Sequence, residues 1–248
     1  MPTPSPSPSS PTGLWAQKWL SPPRYAAYLR TAGRDDNRAL ALYEWNAQLS
    51  AALLRDLAHL EVALRNAYDL ALSARWPGPP HWTAAGDRIF APLYRTMVHR
   101  DRSRRPVDVN RRIRDALNRA LVIVADPTGA PGKVIAELTF GFWRFLSSTA
   151  HEKTLWVPCL HRAFPEGTRR QRDVDARVGR LHELRNRVAH HESLLNIDVA
   201  ERFADLVALA TLLDPQLGGY LATTSAVNRL IGTRPRGTAV SGRSGGYR

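Results

Sequence analysis

The densest group of chemically capable side chains lies between Glu183 and Glu192, where seven of ten residues are charged, amide or imidazole. Arg185 supplies a cation that can hold a phosphate, and His190 supplies an imidazole that can move protons near neutral pH. Asn186 supplies an amide that can orient either of them. This is a suitable set for cleaving RNA without a metal ion, with the ribose 2′-hydroxyl attacking its own phosphate.

Helix geometry limits which of these side chains can meet. Asn186 and His190 are four residues apart and share a helix face, whereas Arg185 and His190 point about 140° apart. Arg185 and His190 therefore converge only if the helix ends or bends there, or through a second chain. A solvated, salt-bridged helix face is the alternative interpretation. Other arginine-to-histidine pairs have similar spacings in this arginine-rich chain, so Asn186 and the second histidine, His191, make this copy distinctive.

Other kinds of site find little support in the sequence. The chain has no GxxxxGK[ST] or GxGxxG loop that would cradle phosphates, and no CxxC or HExxH pair, so a zinc site would need scattered ligands. We expect no cofactor and no metal. Cys159 is the only cysteine, and its apolar neighbours predict a buried thiol in a reducing compartment.

The charge balance indicates a polyanionic partner. Among 248 residues, 35 Lys and Arg oppose 22 Asp and Glu, a formal charge of +13, and all but three of the basic residues are arginine. A genome rich in G and C would also raise the arginine content. Residues 88–119 carry ten arginines against three aspartates, and a smaller basic cluster precedes the candidate site. The candidate RNA-binding residues are Arg102, Arg104, Arg105, Arg111, Arg112, Arg169, Arg170 and Arg172.

Each of these basic runs has an ordinary alternative, a solvated helix face. The aromatic run from Phe140 to Phe145 can stack bases, although so apolar a segment is more typical of core.

Apolar periodicity places these residues on helices. A stripe stepping by three and four residues, without proline or glycine, predicts a long helix from Asp35 to about Arg75. Further helices are expected over 106–124, 132–148, 174–190 and 197–213, and after Asp214, which with Pro215 forms a cap and first-turn pair. Alternating strand-like runs are lacking, so the fold class is all-α, a multi-helix bundle.

Composition separates the ends from the body. Residues 1–13 are rich in proline and serine, and residues 233–248 in glycine, serine and arginine, so both are expected to be disordered tails around one helical domain at 14–232. No signal peptide or membrane anchor is evident. The expected location is the cytoplasm, with no membrane partner.

The segment Arg185-Asn186-Arg187-Val188-Ala189-His190-His191 resembles the R-N-x-x-x-H signature of the HEPN superfamily, and the body resembles its Abi-like (abortive infection) family. The similarity spans roughly residues 15–215. Five further pieces follow in the order typical of that family: LSPPRY at 20–25, LYEWN at 42–46, HLEVALRN at 59–66, FGFWRFL at 140–146 and LWVPCLHRAFP at 155–165.

The resemblance implies an all-helical, metal-independent endoribonuclease, typically a dimer whose two signatures complete the active site, acting as a toxin or abortive-infection effector in antiphage defence. Arg185 would hold the scissile phosphate, His190 would act as general acid or base, and Asn186 would orient that histidine or contact the phosphate. An antitoxin or a phage trigger is left open. The alternative is a non-catalytic RNA-binding or regulatory module of the same fold. The residues expected to frame the site are His191, Glu61, Arg65 and Asn66. The alternatives are that Glu61 merely pairs with Arg65 four residues later and that His191 is structural.

Overall fold

A 40-residue helix, α3 (Asp36–Arg75), forms the axis of the computed structural model, which describes residues 11–98, 101–125 and 130–236. The helix begins where the carboxylate of Asp35 accepts a hydrogen bond from the backbone N–H of Arg38 at 3.0 Å. It ends at Arg75, directly before Trp76 and Pro77. The long predicted helix is therefore confirmed, with Asp35 as its cap.

The other helices pack around α3, and the all-α class is confirmed. Asp214 caps α10 by accepting from the backbone N–H of Gln216 at 2.7 Å, as its pairing with Pro215 predicts. The helices are α1 (Pro11–Leu20), α2 (Pro22–Thr31), α4 (Gly86–Ile89), α5 (Arg111–Ile123), α6 (Pro131–Glu137), α7 (Phe140–Leu146), α8 (Ala176–Ala189), α9 (Val199–Leu213), α10 (Pro215–Thr224) and α11 (Val227–Gly232).

Shorter turns join these helices. Single 3₁₀ turns lie at Trp82–Ala85, Thr149–His151 and Leu160–Ala163, and π-helical turns at Glu152–Trp156 and Arg170–Asp175. The second π-helical turn runs directly into α8, so the helix predicted over 174–190 has an α-helical part from Ala176 to Ala189.

The predicted helix over 106–124 is wrong at its start. Strands β1 (Tyr94–Val98) and β2 (Arg104–Asp108) form an antiparallel hairpin in which Tyr94 pairs with Asp108. The carboxylate of Asp108 accepts from the backbone N–H groups of Leu93 (2.9 Å) and Asn110 (3.0 Å) and pairs with Arg114. These bonds close the hairpin and delay the helix to Arg111.

The predicted helix over 132–148 is two helices, α6 and α7, which meet at an extended break. Leu138 and Thr139 have ψ angles of 123° and 162°, outside the helical range. The indole N–H of Trp143 donates to the Leu138 carbonyl at 3.3 Å, which becomes possible because that carbonyl leaves the helical ladder. The break therefore lets α7 take its own direction against α8.

The buried apolar side chains form one cluster that runs from Ala16 in α1 to Leu230 in α11. Phe140, Phe142 and Trp143 belong to it, which supports core packing for most of the aromatic run, and the thiol of Cys159 is buried as predicted. Residues 11–13 belong to α1, and Arg234 lies over the ring of Trp45, 5.3 Å from its centroid. Thr233, Pro235 and Arg236 are described as well, and residues 1–10 and 237–248 of the predicted tails lie outside the described residues.

Candidate functional site

Helix α8 presents the candidate side chains because its opposite face is anchored in the core. Leu181, Leu184 and Val188 are buried. Arg185 and Asn186 are half-buried at the edge of this face, whereas His190, the residue that caps the helix end, is exposed.

The helix ends in a Schellman turn just after the signature. The backbone N–H of Glu192 donates to the Arg187 carbonyl at 2.9 Å, and that of His191 donates to the Val188 carbonyl at 3.1 Å. His191 occupies the left-handed position of this turn with φ 54°. His191 therefore has a structural role at the end of α8, through its backbone conformation.

The position of this turn shows whether Arg185 and His190 can meet within one chain. The α-helix continues through Ala189, and the N–H of His190 still donates to the Asn186 carbonyl at 2.9 Å. The chain bends only after His190, so Arg185 and His190 keep their separation of about 140° around the helix. The bend that would bring these two residues together in one chain does not occur before His190.

Three of the residues predicted to frame the site, Glu61, Arg65 and Asn66, come from α3. Burial raises the pKa of Glu61 above its usual value, and the guanidinium groups of Arg185 and Arg65 oppose that rise, together with the backbone amide of Phe140. Glu61 thus lies at the junction of α3, α7 and α8. Asn66 is exposed on the neighbouring face of α3.

Arg185, like Arg65 of α3, lacks the polar partners that the other half-buried arginines have. It is half-buried, and among the residues that the structure describes its guanidinium makes no hydrogen bond and no ion pair within 4 Å. Its nearby opposite charge is Glu61. A partly buried cation without a bound counter-ion is ready to accept an anion.

His182, which the sequence analysis does not single out, contacts the candidate site. Its Nε2 lies 3.2 Å from Nδ2 of Asn186, and its ring stacks on Phe140 with 6.0 Å between centroids and 4° between planes. The spacing of four residues from Asn186 was the signal for this contact.

The chemistry of this contact assigns its direction. Burial lowers the pKa of His182, the charges of Arg144 and Arg185 lower it further, and Glu183 opposes them. A neutral imidazole follows at neutral pH, and Asn186 Nδ2 can only donate, so His182 Nε2 accepts the hydrogen bond. Asn186 is thus held by His182 rather than by His190.

On the far side of α8, arginines are neutralised by one buried carboxylate of α9. Asp205 accepts from Arg180 through both oxygens, at 2.6 and 2.7 Å. Arg177 and Arg202 lie 3.5 and 3.7 Å from the same carboxylate. Arg177 and Arg180 thus join α8 to α9, whereas Arg202 lies on α9 itself, and all three are part of the scaffold.

Arg170 must be removed from the candidate RNA-binding residues. Its side chain is buried and its guanidinium donates to the Ser147 carbonyl at 2.9 Å, to Asp175 at 3.1 Å and to Glu152 at 3.3 Å. This arginine ties the π-helical turn before α8 to the turn after α7. Its buried guanidinium is not accessible to RNA.

The other candidate RNA-binding arginines are exposed. Arg105 pairs with Asp101 at 3.1 Å, Arg172 with Asp173 at 2.7 Å, and Arg111 lies 3.9 Å from Asp115. Within the described part of the chain, ion-pair partners are lacking for the side chains of Arg102, Arg104, Arg112 and Arg169.

The described residues contain no cluster of three or more side chains suited to a metal ion. No helix among them is both long and apolar enough to cross a bilayer. No family model, curated protein or solved structure matches the chain. What this protein does is therefore inferred from its side chains.

Proposed function

We propose that this protein is a metal-independent endoribonuclease, as its resemblance to the Abi-like family of the HEPN superfamily implies. The observation that carries the proposal is the half-buried guanidinium of Arg185, which has no hydrogen-bond or ion-pair partner among the described residues. It lies beside Asn186, which His182 holds in place. A phosphate supplies the missing counter-ion.

The reaction assigned to the site is an internal transfer at phosphorus. The ribose 2′-oxygen loses its proton to a base, forms the new bond to phosphorus, and displaces the 5′-oxygen, which takes up a proton. The products are a 2′,3′-cyclic phosphate and a 5′-hydroxyl. Arg185 binds the phosphate oxygens, on which negative charge develops, and His190 carries one of the two proton transfers.

A second copy of the chain would complete the site. Because α8 runs straight through Ala189, Arg185 and His190 diverge within one chain. His190 is exposed at the end of the helix, where it can reach the phosphate held by another chain's Arg185. A symmetric homodimer forms two such composite sites.

The proposed biological role follows from the same resemblance. A ribonuclease of this kind acts as a toxin or abortive-infection effector that cuts RNA in the cytoplasm of an infected bacterium. Its partners would be RNA and a second copy of the chain.

The direct test is incubation of the purified protein with end-labelled RNA in excess EDTA. We expect cleavage by the wild type, a loss of at least a hundredfold in Arg185→Ala and His190→Ala, and full activity in Arg229→Ala. Arg229 is an exposed arginine of α11, away from α8. Cleavage that requires added metal, or that survives both site substitutions, would contradict the mechanism.

A second candidate function is RNA binding without cleavage. The exposed arginines without ion-pair partners, among them Arg102, Arg104 and Arg112, favour it, since phosphates bind such side chains whether or not a cut follows. Salt-sensitive binding of RNA that stays intact in the same assay would favour this function.

A further inference from the structure

A groove separates α5 from α7 and holds about 230 Å³. Its rim carries Arg112 and Arg119 of α5, and its wall is formed by Phe142 and Phe145 of α7. The volume lies below the roughly 300 to 1,000 Å³ typical of small-molecule sites. A groove of this size suits one unit of an extended polymer better than a whole cofactor.

The charges at the groove attract an anion. Arg112 and Arg119 are exposed, and in the described part of the chain neither has an ion-pair partner. The lining holds one acidic side chain, Asp115, against these two arginines, and Asp115 also lies 3.9 Å from Arg111. Two unpaired guanidinium groups beside an apolar wall suit a nucleotide. The guanidinium groups would bind its phosphate at the rim, and the apolar wall would contact its base.

Gly141 connects this groove to the candidate site. A Cβ atom at Gly141 would lie 3.3 Å from Nε2 of His182 and 3.7 Å from Oγ1 of Thr139, so the absence of a side chain lets α7 approach α8 closely at His182. His182 in turn contacts Asn186, the neighbour of Arg185. The groove and Arg185 are therefore joined by a short series of neighbouring residues, Gly141, His182 and Asn186.

We propose that this groove binds a nucleotide of single-stranded RNA that flanks the phosphate held by Arg185. The inference rests on the proposed function for the position of the cut, and on the groove itself for binding. Arg112 and Arg119 hold the phosphates on the flanking side, and the phenylalanines contact the base. RNA thus crosses α7 at Gly141 on its way to α8.

The test measures the binding of a fluorescein-labelled ten-nucleotide oligouridylate by anisotropy at several salt concentrations, in a His190→Ala background that keeps the probe intact. For Arg112→Gln/Arg119→Gln we expect affinity about tenfold lower and a salt slope smaller by about two, since each lost phosphate contact removes about one. The matched control, Arg229→Gln, should bind as the background does.

A glycine pair gives a second measurement. Gly141→Ala narrows the groove and should weaken binding several-fold, whereas Gly132→Ala, at an exposed helical position with no neighbouring atom within 4 Å of its Cβ, should not. Thermal melts of both variants show whether a loss reflects unfolding. Arg112 and Arg119 are exposed, so their double variant remains decisive if Gly141→Ala fails to fold.

The outcomes separate the two proposals. If the wild type leaves RNA intact but the arginine variants lose binding, the groove stands and the nuclease mechanism falls. Unchanged affinity and salt slope in the arginine double variant overturn the groove, even if the wild type cleaves RNA. Equal binding of an oligodeoxythymidylate would overturn the assignment to RNA.

Discussion

His191 is held in the left-handed region by the Schellman turn that ends α8, at φ 54°. Glycine adopts this conformation without steric cost, whereas a residue with a side chain loses about 1 to 2 kcal/mol there. A histidine at this position is therefore either tolerated or retained for its imidazole. Its backbone geometry provides a way to distinguish the two.

We predict that His191→Gly raises the free energy of unfolding by about 1 kcal/mol, measured by urea denaturation. Ala189→Gly, two residues earlier and within α8, should lower it by about the same amount, because glycine is disfavoured inside a helix. If His191→Gly is more stable and still cleaves RNA, His191 acts through its backbone alone. A fall in stability would contradict the strain argument.

His151 is a buried histidine outside the site, and burial lowers its pKa to about 4, with a smaller contribution from Arg95. The unfolded chain, with an ordinary imidazole pKa near 6.5, binds more protons between these two values than the folded protein does. The stability contribution of neutral His151 is therefore present above pH 6.5 and is lost as the pH falls toward 4.

We predict that the contribution of His151 to the free energy of unfolding falls by roughly 1 kcal/mol when the pH is lowered from 7.5 to 5.5. The measurement is urea unfolding at both pH values for the wild type and for His151→Gln, which cannot titrate. The difference in the free energy of unfolding between the two pH values should be smaller in His151→Gln than in the wild type. Equal pH dependence in both proteins would show that His151 titrates normally.

Ser73, His81 and Asp69 lie together in an arrangement that superficially suggests a nucleophile. Nε2 of His81 lies 3.2 Å from the Ser73 hydroxyl and 3.4 Å from Asp69. However, Nδ1 of His81 accepts the backbone N–H of Thr83, which places the proton of the neutral ring on Nε2. His81 therefore cannot take the serine proton, and the group secures the turn after α3.

The long helix α3 could be predicted from the sequence, whereas the break between α6 and α7 and the hairpin before α5 could not. Apolar periodicity predicts α3 to within a residue, because a helix this long repeats its pattern many times. Neither Leu138 nor Thr139, where the helix breaks, is a glycine or a proline, so nothing at these positions predicts the break; the bond from Trp143 to the Leu138 carbonyl accompanies it. Likewise the hairpin depends on contacts that Asp108 makes with residues distant in sequence.

The candidate site divides in the same way. Asn186 and His190 could be placed from spacing along one helix, as could the i, i+4 contact between Asn186 and His182. The proximity of Glu61 to Arg185 joins α3 to α8 across more than a hundred residues, and only the resemblance pointed to it. The burial of Arg170 could not be predicted, since charge alone gives no sign of which arginines serve the scaffold.

The hairpin gives a prediction of its own. We expect Asp108→Ala to speed amide exchange in β1 and β2 by about tenfold or more while global stability falls less, because the hairpin lies outside the bundle. Hydrogen exchange with mass spectrometry measures both. Asp115→Ala, which removes an exposed carboxylate of α5 that lies 3.9 Å from Arg111, should change exchange in the hairpin little. Uniform destabilisation by Asp108→Ala would instead place the hairpin in the same cooperative unit as the core.

At the scale of the whole molecule, a site shared between two copies makes a quantitative prediction. A mixture of Arg185→Ala and His190→Ala chains forms mixed dimers, in which one of the two sites regains an intact arginine from one chain and an intact histidine from the other. With random pairing, about one quarter of wild-type activity should return.

The measurement is RNA cleavage after co-refolding equal amounts of the two variants, with light scattering to establish the dimer. Each variant refolded alone serves as the control. If the mixture is no more active than the separate variants, the arginine and histidine act within one chain. A monomer at the assay concentration would likewise contradict the shared site.

The salt-bridged carboxylate of Asp205 also affects how the protein meets its partners in solution. It offsets part of the charge of Arg177, Arg180 and Arg202, whereas Arg102 and Arg104 at β2 and Arg112 and Arg119 in α5 have no ion-pair partner in the described part of the chain. The positive charge around α5 is therefore less compensated than the charge between α8 and α9. Electrostatic steering would orient an approaching polyanion so that it contacts α5 first. Such guidance acts on the association rate, and it fades once salt shortens the Debye length to about 3 Å at 1 M.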